Sequence, residues 1–158
     1  MDDSLSVWQQ PEIIRWSKIL VNSYQQLLDK ELINTANTPQ ALSQTLFHAP
    51  FVIVSHDTQA DPIFNYGNQA ALQLWSISWD ELIKTPSRLS AEPENRATRS
   101  AMLEQAATKG YIANCQGVRI STTGQKFAIK QAIIWNLTDE SGHKCGQAAT
   151  FSDWQWLG

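Results

Sequence analysis

The sequence predicts an α+β domain in which five antiparallel strands form one sheet and short helices group on one face. Three observations support this prediction. Residues 11–33 have helical spacing, short β-branched runs begin after Pro50, and the end of the chain consists of strand-like runs joined by tight turns. The strands are too few, and their connections too short, for a doubly wound parallel sheet.

The N-terminal segment predicts two helices. Apolar residues recur at three- and four-residue steps through residues 11–33, with a proline in the first turn. Polar residues 34–37 break this pattern, and Thr38 is then placed to cap a second, shorter helix. We therefore expect residues 1–49 to form a helical extension and residues 50–158 to form the core of the domain.

Two short strands and two short helices are predicted next. Residues 51–57 and 63–68 are short, mostly apolar and bounded by turn residues, as buried strands are. Asn68 then caps a helix that reads NQAALQLW. Ser78 and Glu81 form a capping-box pattern at the start of another.

The second half of the chain predicts one longer helix and a meander of three strands. The helix covers residues 94–109 and ends at a glycine in the C-cap position. The three strands are predicted at residues 111–121, 126–137 and 143–154. Glycine-containing turns separate them, so consecutive strands are expected to pair antiparallel.

Composition excludes several classes of function. The chain has 158 residues, enough for one domain with its own core, and carries 12 Lys and Arg against 15 Asp and Glu. Without clustered cations, a nucleic-acid surface is not expected. No apolar run approaches the roughly 20 residues that span a bilayer, and the chain starts with acidic residues, unlike a secretory signal. We expect a cytoplasmic protein without a membrane segment.

Candidate catalytic and metal-binding groups are few. Cys115 and Cys145 lie in predicted strands, where free thiols pack as small apolar residues. His56, Asp57 and Asp61 form the one cluster of histidine and acid, and we interpret them as solvated turn residues. No third ligand or neighbouring nucleophile accompanies them, so neither a metal site nor an enzyme is predicted.

Several separated motifs carry a family resemblance. They read NYGNQAALQLW, PSRLSAEP, GVRISTTGQKF, WNL and CGQAATF, in that order. Together they resemble the MEKHLA domain, a PAS-like family, over roughly residues 12–154. The stretch at residues 65–82 also resembles the PAS signature of a capped helix followed by a turn and a second helix. The resemblance implies a PAS fold, in which the sheet holds a small ligand against short helices, and a sensory or regulatory role.

The resemblance leaves the cofactor unknown. Light-sensing flavin relatives carry a reactive cysteine on the helix before the third strand, and haem-binding relatives use a histidine on the longer helix. Residues 86–96, which match the first region, contain no cysteine, and residues 94–109 contain no histidine. Flavin-thiol photochemistry and haem binding therefore lack their usual anchors.

Six side chains are candidates for ligand binding. Strand alternation places Gln131 and Trp135 on the same inward face as Phe127. An arginine in a pocket can bind a carboxylate or phosphate, and flat aromatic rings can line one. The candidates are Asn68, Trp75, Arg88, Arg119, Gln131 and Trp135. The alternatives are a hydrogen bond to the backbone or to Asn68 for Gln131, ion pairs or solvent exposure for the arginines, and core packing for the tryptophans.

The function expected from these observations is a stand-alone sensory module that binds an unidentified small molecule between sheet and helices. It would signal through a regulatory protein partner. The helix at residues 11–33 would either cover the sheet or pair with its copy in a homodimer. The alternatives are a ligand-free dimerisation module and a small enzyme that uses His56, Asp57 or a cysteine.

Overall fold

The computed structural model describes residues 6–34 and 38–158. The α-helices in these residues are α1 Pro11–Leu28, α2 Pro39–Phe47, α3 Gln69–Trp75, α4 Trp79–Leu82 and α5 Pro93–Lys109. The strands are β1 Val52–His56, β2 Phe64–Gly67, β3 Tyr111–Ile120, β4 Lys126–Thr138, β5 Lys144–Phe151 and β6 Asp153–Leu157. Two short 3-10 helices are Val7–Gln9 and Ser87–Ser90. The acidic start and part of the predicted break at 34–37 lie outside the described residues.

The strands form one antiparallel sheet in the order β2-β1-β5-β4-β3, which confirms the predicted fold class. The predicted number of strands is one too low. The segment 143–154, predicted as one strand, breaks at Ser152 into β5 and β6. β5 pairs with residues 133–138 of β4, and β6 pairs with residues 126–130. One edge of β4 is therefore covered by two strands in succession.

Two bulges that compensate each other interrupt the pairing of β3 with β4. Register shifts separate the pair Cys115–Ala132 from the pairs on either side of it. β3 contributes the extra residue at the first shift and β4 contributes it at the second, so the register is restored beyond the second bulge. Asn114 in β3 and Gln131 in β4 have φ of 58° and 55°, in the left-handed region. The predicted strand alternation is therefore wrong beyond residue 130.

The bulge in β4 decides which side chains face each side of the sheet. Ala132 and Ile134 join Ile129 in one core, whereas Trp135 belongs to the core on the other face. Gln131 itself is exposed. The interpretation of Gln131 as an inward-facing polar residue is therefore wrong, because the bulge turns its side chain out to solvent.

Glycine is expected to stabilise the bulge at Gln131. A left-handed conformation costs a residue with a Cβ roughly 1–2 kcal/mol, and glycine adopts it freely. We expect Gln131→Gly to raise the free energy of unfolding by about 0.5–1 kcal/mol and Gln131→Val to lower it by about 1 kcal/mol. Urea unfolding followed by tryptophan fluorescence measures both changes. The control is Lys130→Gly, at an exposed neighbouring position without positive φ. An equal loss in Gln131→Gly and Lys130→Gly would contradict the prediction.

The sheet separates two hydrophobic cores. Val52 and Val54 of β1 enter the first core, under α3 and α5, whereas Ile53 enters the second. The second core is covered by apolar residues of α1 and α2, including Leu20 and Leu46. The predicted N-terminal helix therefore covers the sheet of its own chain.

Local signals place most helix ends correctly. The Thr38 hydroxyl accepts a hydrogen bond from the Ala41 N–H, and the Ser78 hydroxyl accepts one from the Glu81 N–H, so both predicted caps are confirmed. α1 is shorter than predicted. It ends at Leu28 instead of residue 33, because Asp29 takes a left-handed conformation with φ of 56° and terminates the helix.

Candidate functional site

A cavity of about 60 Å³ lies between the sheet and the helices of the first core. One water needs roughly 10–15 Å³ in the same measure, so the cavity has room for several waters or one small organic molecule. Its walls are mainly apolar and come from β1, β2, β3, β4, β5, α3 and α5. The apolar residues include Val54, Phe64, Trp75, Met102, Leu103, Ile129, Ala132, Ile134, Ala149 and Phe151. A few polar side chains interrupt this surface.

His56 is one of the polar residues that line the cavity. It is the last residue of β1 and is 7% exposed, so its interpretation as a solvated turn residue is wrong. Its Nδ1 lies 2.9 Å from the Asp57 carbonyl oxygen. Because a carbonyl only accepts, Nδ1 carries the proton in the neutral ring and Nε2 is left as an acceptor. Nε2 is buried and has no hydrogen-bonding partner among the described residues.

The environment of His56 favours its neutral form. Burial lowers the pKa of His56, the hydrogen bond to the Asp57 carbonyl opposes this shift, and the positive charge of Arg99 lowers the pKa further. Asp57 itself belongs to the turn. Its carboxylate accepts hydrogen bonds from the backbone N–H groups of Gln59 and Ile63.

Two arginines line the same cavity, one from a helix and one from the sheet. Arg119 lies on β3 and is 8% exposed, and Arg99 lies half-buried on α5. Burial together with the like charge of Arg119 lowers the pKa of Arg99 to about 10. Burial also lowers the pKa of Arg119 to about 10, although the Cys115 thiol opposes the shift. Both guanidinium groups stay charged at neutral pH.

Trp75, at the end of α3, forms an aromatic wall of the cavity. Its ring meets Phe127 and Phe151 edge to face, with centroids 5.2 Å and 6.1 Å away. The indole Nε1 is buried without a hydrogen-bonding partner among the described residues. Trp75 therefore packs in the first core and also lines the cavity.

Asn68 is fully buried, but its polar atoms are used by the backbone. Its Oδ1 accepts from the N–H groups of Ile53 at 3.0 Å and Ala71 at 3.2 Å. Its Nδ2 donates to the carbonyls of Leu46 at 3.2 Å and Phe51 at 2.8 Å. The side chain thus joins α2, β1 and α3 and has no free donor for a ligand.

The other three predicted site residues lie away from the cavity. Arg88 is exposed and pairs with Asp61, with Nε 3.2 Å from Oδ1. Gln131 is exposed on β4. Trp135 belongs to the second core, where its Nε1 donates to the Leu20 carbonyl. The cavity therefore brings together only Trp75 and Arg119 of the six candidates.

Six polar residues that line the cavity are absent from the ligand-binding candidates. They are Ser55, His56, Ser90, Arg99, Gln116 and Gln147. Arg99 had a detectable signal, because it stands four and seven residues before Leu103 and Ala106 on the inward face of α5. Gln147 is opposite His56 in the β1–β5 ladder, a pairing that local pattern does not reveal.

Among the described residues, the thiol on the cavity wall belongs to Cys115, whereas residues 86–96 contain no cysteine and α5 contains no histidine. Cys115 lines the cavity from β3, but burial raises the pKa of its thiol, so it stays protonated at neutral pH. No group of three or more His, Cys, Asp or Glu residues in the described ranges is arranged to hold a metal ion. None of the helices in those ranges combines the length and apolar character that crossing a bilayer requires.

Solved structures share this fold. The PAS domain of a protein from Colwellia psychrerythraea matches with a TM-score of 0.60 at 15% identity, over 73% of this chain and 92% of that one. A light-oxygen-voltage domain studied with a flavin analogue matches with a TM-score of 0.58 at 18% identity, over 74% of this chain and 84% of that one. These likenesses confirm the PAS-like architecture predicted from the sequence.

Sequence comparison identifies the family. The homeobox-leucine zipper protein ATHB-15 of Arabidopsis thaliana is 20% identical over 148 residues, which cover 93% of this chain and 18% of the plant protein. This chain thus spans less than a fifth of that relative. A model of the MEKHLA domain matches residues 14–156. Because that match covers nearly the whole chain, the protein belongs to the MEKHLA domain family.

Proposed function

We propose that this protein is a cytoplasmic sensory module that binds a small molecule in the cavity between sheet and helices. Binding alters the position of α5 and is relayed to a regulatory protein partner, without catalysis. The family and the fold support the sensory role, since PAS and light-oxygen-voltage domains are sensory modules. The ligand and the partner are part of the proposal.

The observation that carries the proposal is the gathering of unpartnered polar atoms at one cavity. His56 Nε2 and Trp75 Nε1 are buried without hydrogen-bonding partners among the described residues, and both residues line this cavity. Each unsatisfied buried polar group costs roughly 1–3 kcal/mol. A ligand that bonds to these atoms recovers this energy.

α5 is the element best placed to relay ligand binding. Arg99, Met102 and Leu103 face the cavity, while much of the remaining surface of the helix is exposed. The Gln147 side chain on the cavity wall donates to the Leu103 carbonyl at 2.9 Å and ties α5 to the sheet. A ligand that displaces this contact moves the exposed face of α5, which a partner can detect.

Filling the cavity is expected to abolish ligand binding without unfolding the protein. Ala149 lines the cavity between Val54 and Ile134 in the sheet. We expect Ala149→Leu to hold its stability within about 1 kcal/mol of the parent, since cavity filling offsets the added volume. Native mass spectrometry of gently purified protein should show a bound small molecule in the parent and none in Ala149→Leu.

The matched control is Ala101→Leu, the same substitution at an exposed position of α5. It is expected to retain the bound molecule. If the parent protein purifies without any small molecule and Ala149→Leu is more stable than the parent, the cavity is a packing defect. The ligand-free interaction module would then be the better description.

A further inference from the structure

The two arginines of the cavity have no counter-charge. In the described ranges, the ion pairs involve Arg15, Arg88, Lys126 and His143, and neither Arg99 nor Arg119 forms one. Arg119 Nη1 donates to the Val118 carbonyl at 2.9 Å, which satisfies one of its five N–H groups. None of the described aspartates and glutamates lines the cavity. The wall thus carries two positive charges without a carboxylate.

Two unpaired arginine charges at one cavity destabilise the folded protein when no ligand is bound. A buried charge is normally paired, because removing it from water without compensation destabilises the fold. Here the two like charges also repel each other, and this repulsion contributes to the lowered pKa of Arg99. An anion bound between the guanidinium groups would offset both costs.

Gly117 provides the space in which the Arg119 guanidinium lies. Both residues are on β3, two positions apart, so their side chains point to the same face. A Cβ at Gly117 would lie 2.7 Å from Arg119 Nη1 and 3.3 Å from its Cζ. The guanidinium therefore packs directly against the strand backbone. The strand thus leaves room for the charged group, and a side chain at position 117 would displace it.

The rest of the cavity wall indicates the polarity and the size of the part of the ligand that carries no charge. Phe64, Met102, Ile129 and Phe151 present apolar surface, which favours a hydrophobic body. The cavity volume of about 60 Å³ limits that body to a small one. His56 also lines the cavity, and its unpartnered Nε2 is an acceptor suited to a hydroxyl or N–H group of the ligand.

We propose that the cavity binds a small organic monocarboxylate, with its carboxylate between Arg99 and Arg119 and its apolar body against the wall formed by Phe64, Met102 and Phe151. This inference rests on the proposed function and specifies its ligand class. The fork of N–H donors on arginine matches a carboxylate in geometry and charge. A phosphate carries more charge and lacks an apolar body, so it matches this wall less well.

The test compares acids with their uncharged amides on the full chain. Isothermal titration calorimetry is carried out with butanoate, 2-methylpropanoate and benzoate, with butanamide and benzamide, and with inorganic phosphate. The acids are expected to bind at least about ten-fold more tightly than the amides. Arg99→Gln and Arg119→Gln are each expected to weaken acid binding about ten-fold or more while leaving amide binding unchanged.

Two further variants separate binding from folding. Gly117→Ala displaces the Arg119 guanidinium, so it should weaken acid binding while the protein stays folded. Arg88→Gln removes an exposed arginine outside the cavity and should leave acid binding unchanged. In buffer without organic acids, Arg99→Gln and Arg119→Gln should unfold at the same temperature as the parent or higher, because each removes an uncompensated charge. A strong loss of stability in both would show a structural role and overturn the proposal.

The other outcomes are equally decisive. If the amides bind as tightly as the acids, the inference of an anionic ligand is wrong, whereas the proposed ligand-binding function stands. If phosphate binds more tightly than every acid, the ligand class is wrong. If no compound binds and the parent protein purifies without a small molecule, the inference and the proposed function both fail.

Discussion

Replacing Asn68 with alanine is expected to lower the free energy of unfolding by about 3–5 kcal/mol, a large effect for one substitution. Four hydrogen bonds are lost together, of which those to Leu46, Ile53 and Ala71 are buried and the one to Phe51 is partly buried. The substitution also leaves buried backbone groups without their partners, which costs more than the bonds contribute. Because the bonds join three elements, the loss affects the whole first half of the core.

A serine variant distinguishes the cap from the other contacts of Asn68. Asn68→Ser keeps an oxygen for the Ala71 N–H and should recover roughly 1 kcal/mol of the loss, the usual contribution of an N-cap. Gln73→Ala, at an exposed position of the same helix, should stay within about 0.5 kcal/mol of the parent. Urea unfolding measures all three variants. If Asn68→Ser proves as stable as the parent, Asn68 acts as a cap alone.

Gly146→Ala is expected to cost about 2–3 kcal/mol of stability through overpacking. Gly146 is buried in β5, and a Cβ there would collide with the carbonyl oxygen of His56 in β1. That oxygen belongs to the backbone of a paired strand, so it cannot rotate away as a side chain would. β1 and β5 must separate locally, and His56 moves with them.

Gly117→Ala is the matched control for this substitution. A Cβ at Gly117 meets the end of the Arg119 side chain, which is free to shift. We therefore expect its unfolding free energy to stay within about 1 kcal/mol of the parent. Thermal unfolding of the two variants side by side measures the difference. Equal stability of Gly146→Ala and Gly117→Ala would mean that β5 and β1 have room for a methyl group.

Short-range signals account for the parts of the fold that were predicted well. The caps at Thr38 and Ser78 depend on a side chain and a backbone N–H three residues away. The turn after β3 depends on Gly124, which has φ of 85°. Both partners of such an interaction lie within a few residues of each other, so a short stretch of sequence is enough to predict it.

The bulge at Gln131 was not predictable in this way. Its extra residue is matched by Asn114 on the facing strand, and neither strand alone shows that the two shifts cancel. The bulge exchanges the two faces of β4 after Gln131. The side chains of Gln131 and Trp135 therefore do not reach the candidate site. The break at Ser152 was missed for a similar reason, since β6 is defined by its pairing with β4.

The residues of the candidate site also differ in whether the sequence alone predicts them. The sequence motifs predict Trp75 and Arg119 as site residues, and both line the cavity. The sequence shows no partner for His56, and the burial of this residue depends on the sheet and α5 closing around the end of β1.

The family, the α+β class, the order of the elements and most of their ends follow from the sequence. Hydrophobic periodicity and capping are local properties, and the MEKHLA motifs are contiguous. Which polar groups meet depends on the folded chain. Arg99 and Arg119 come from a helix and a strand that are separate in the chain, and they share one cavity because α5 packs across β3. Burial and charge are properties of that assembled environment, so the candidate anion site became visible only in the folded chain.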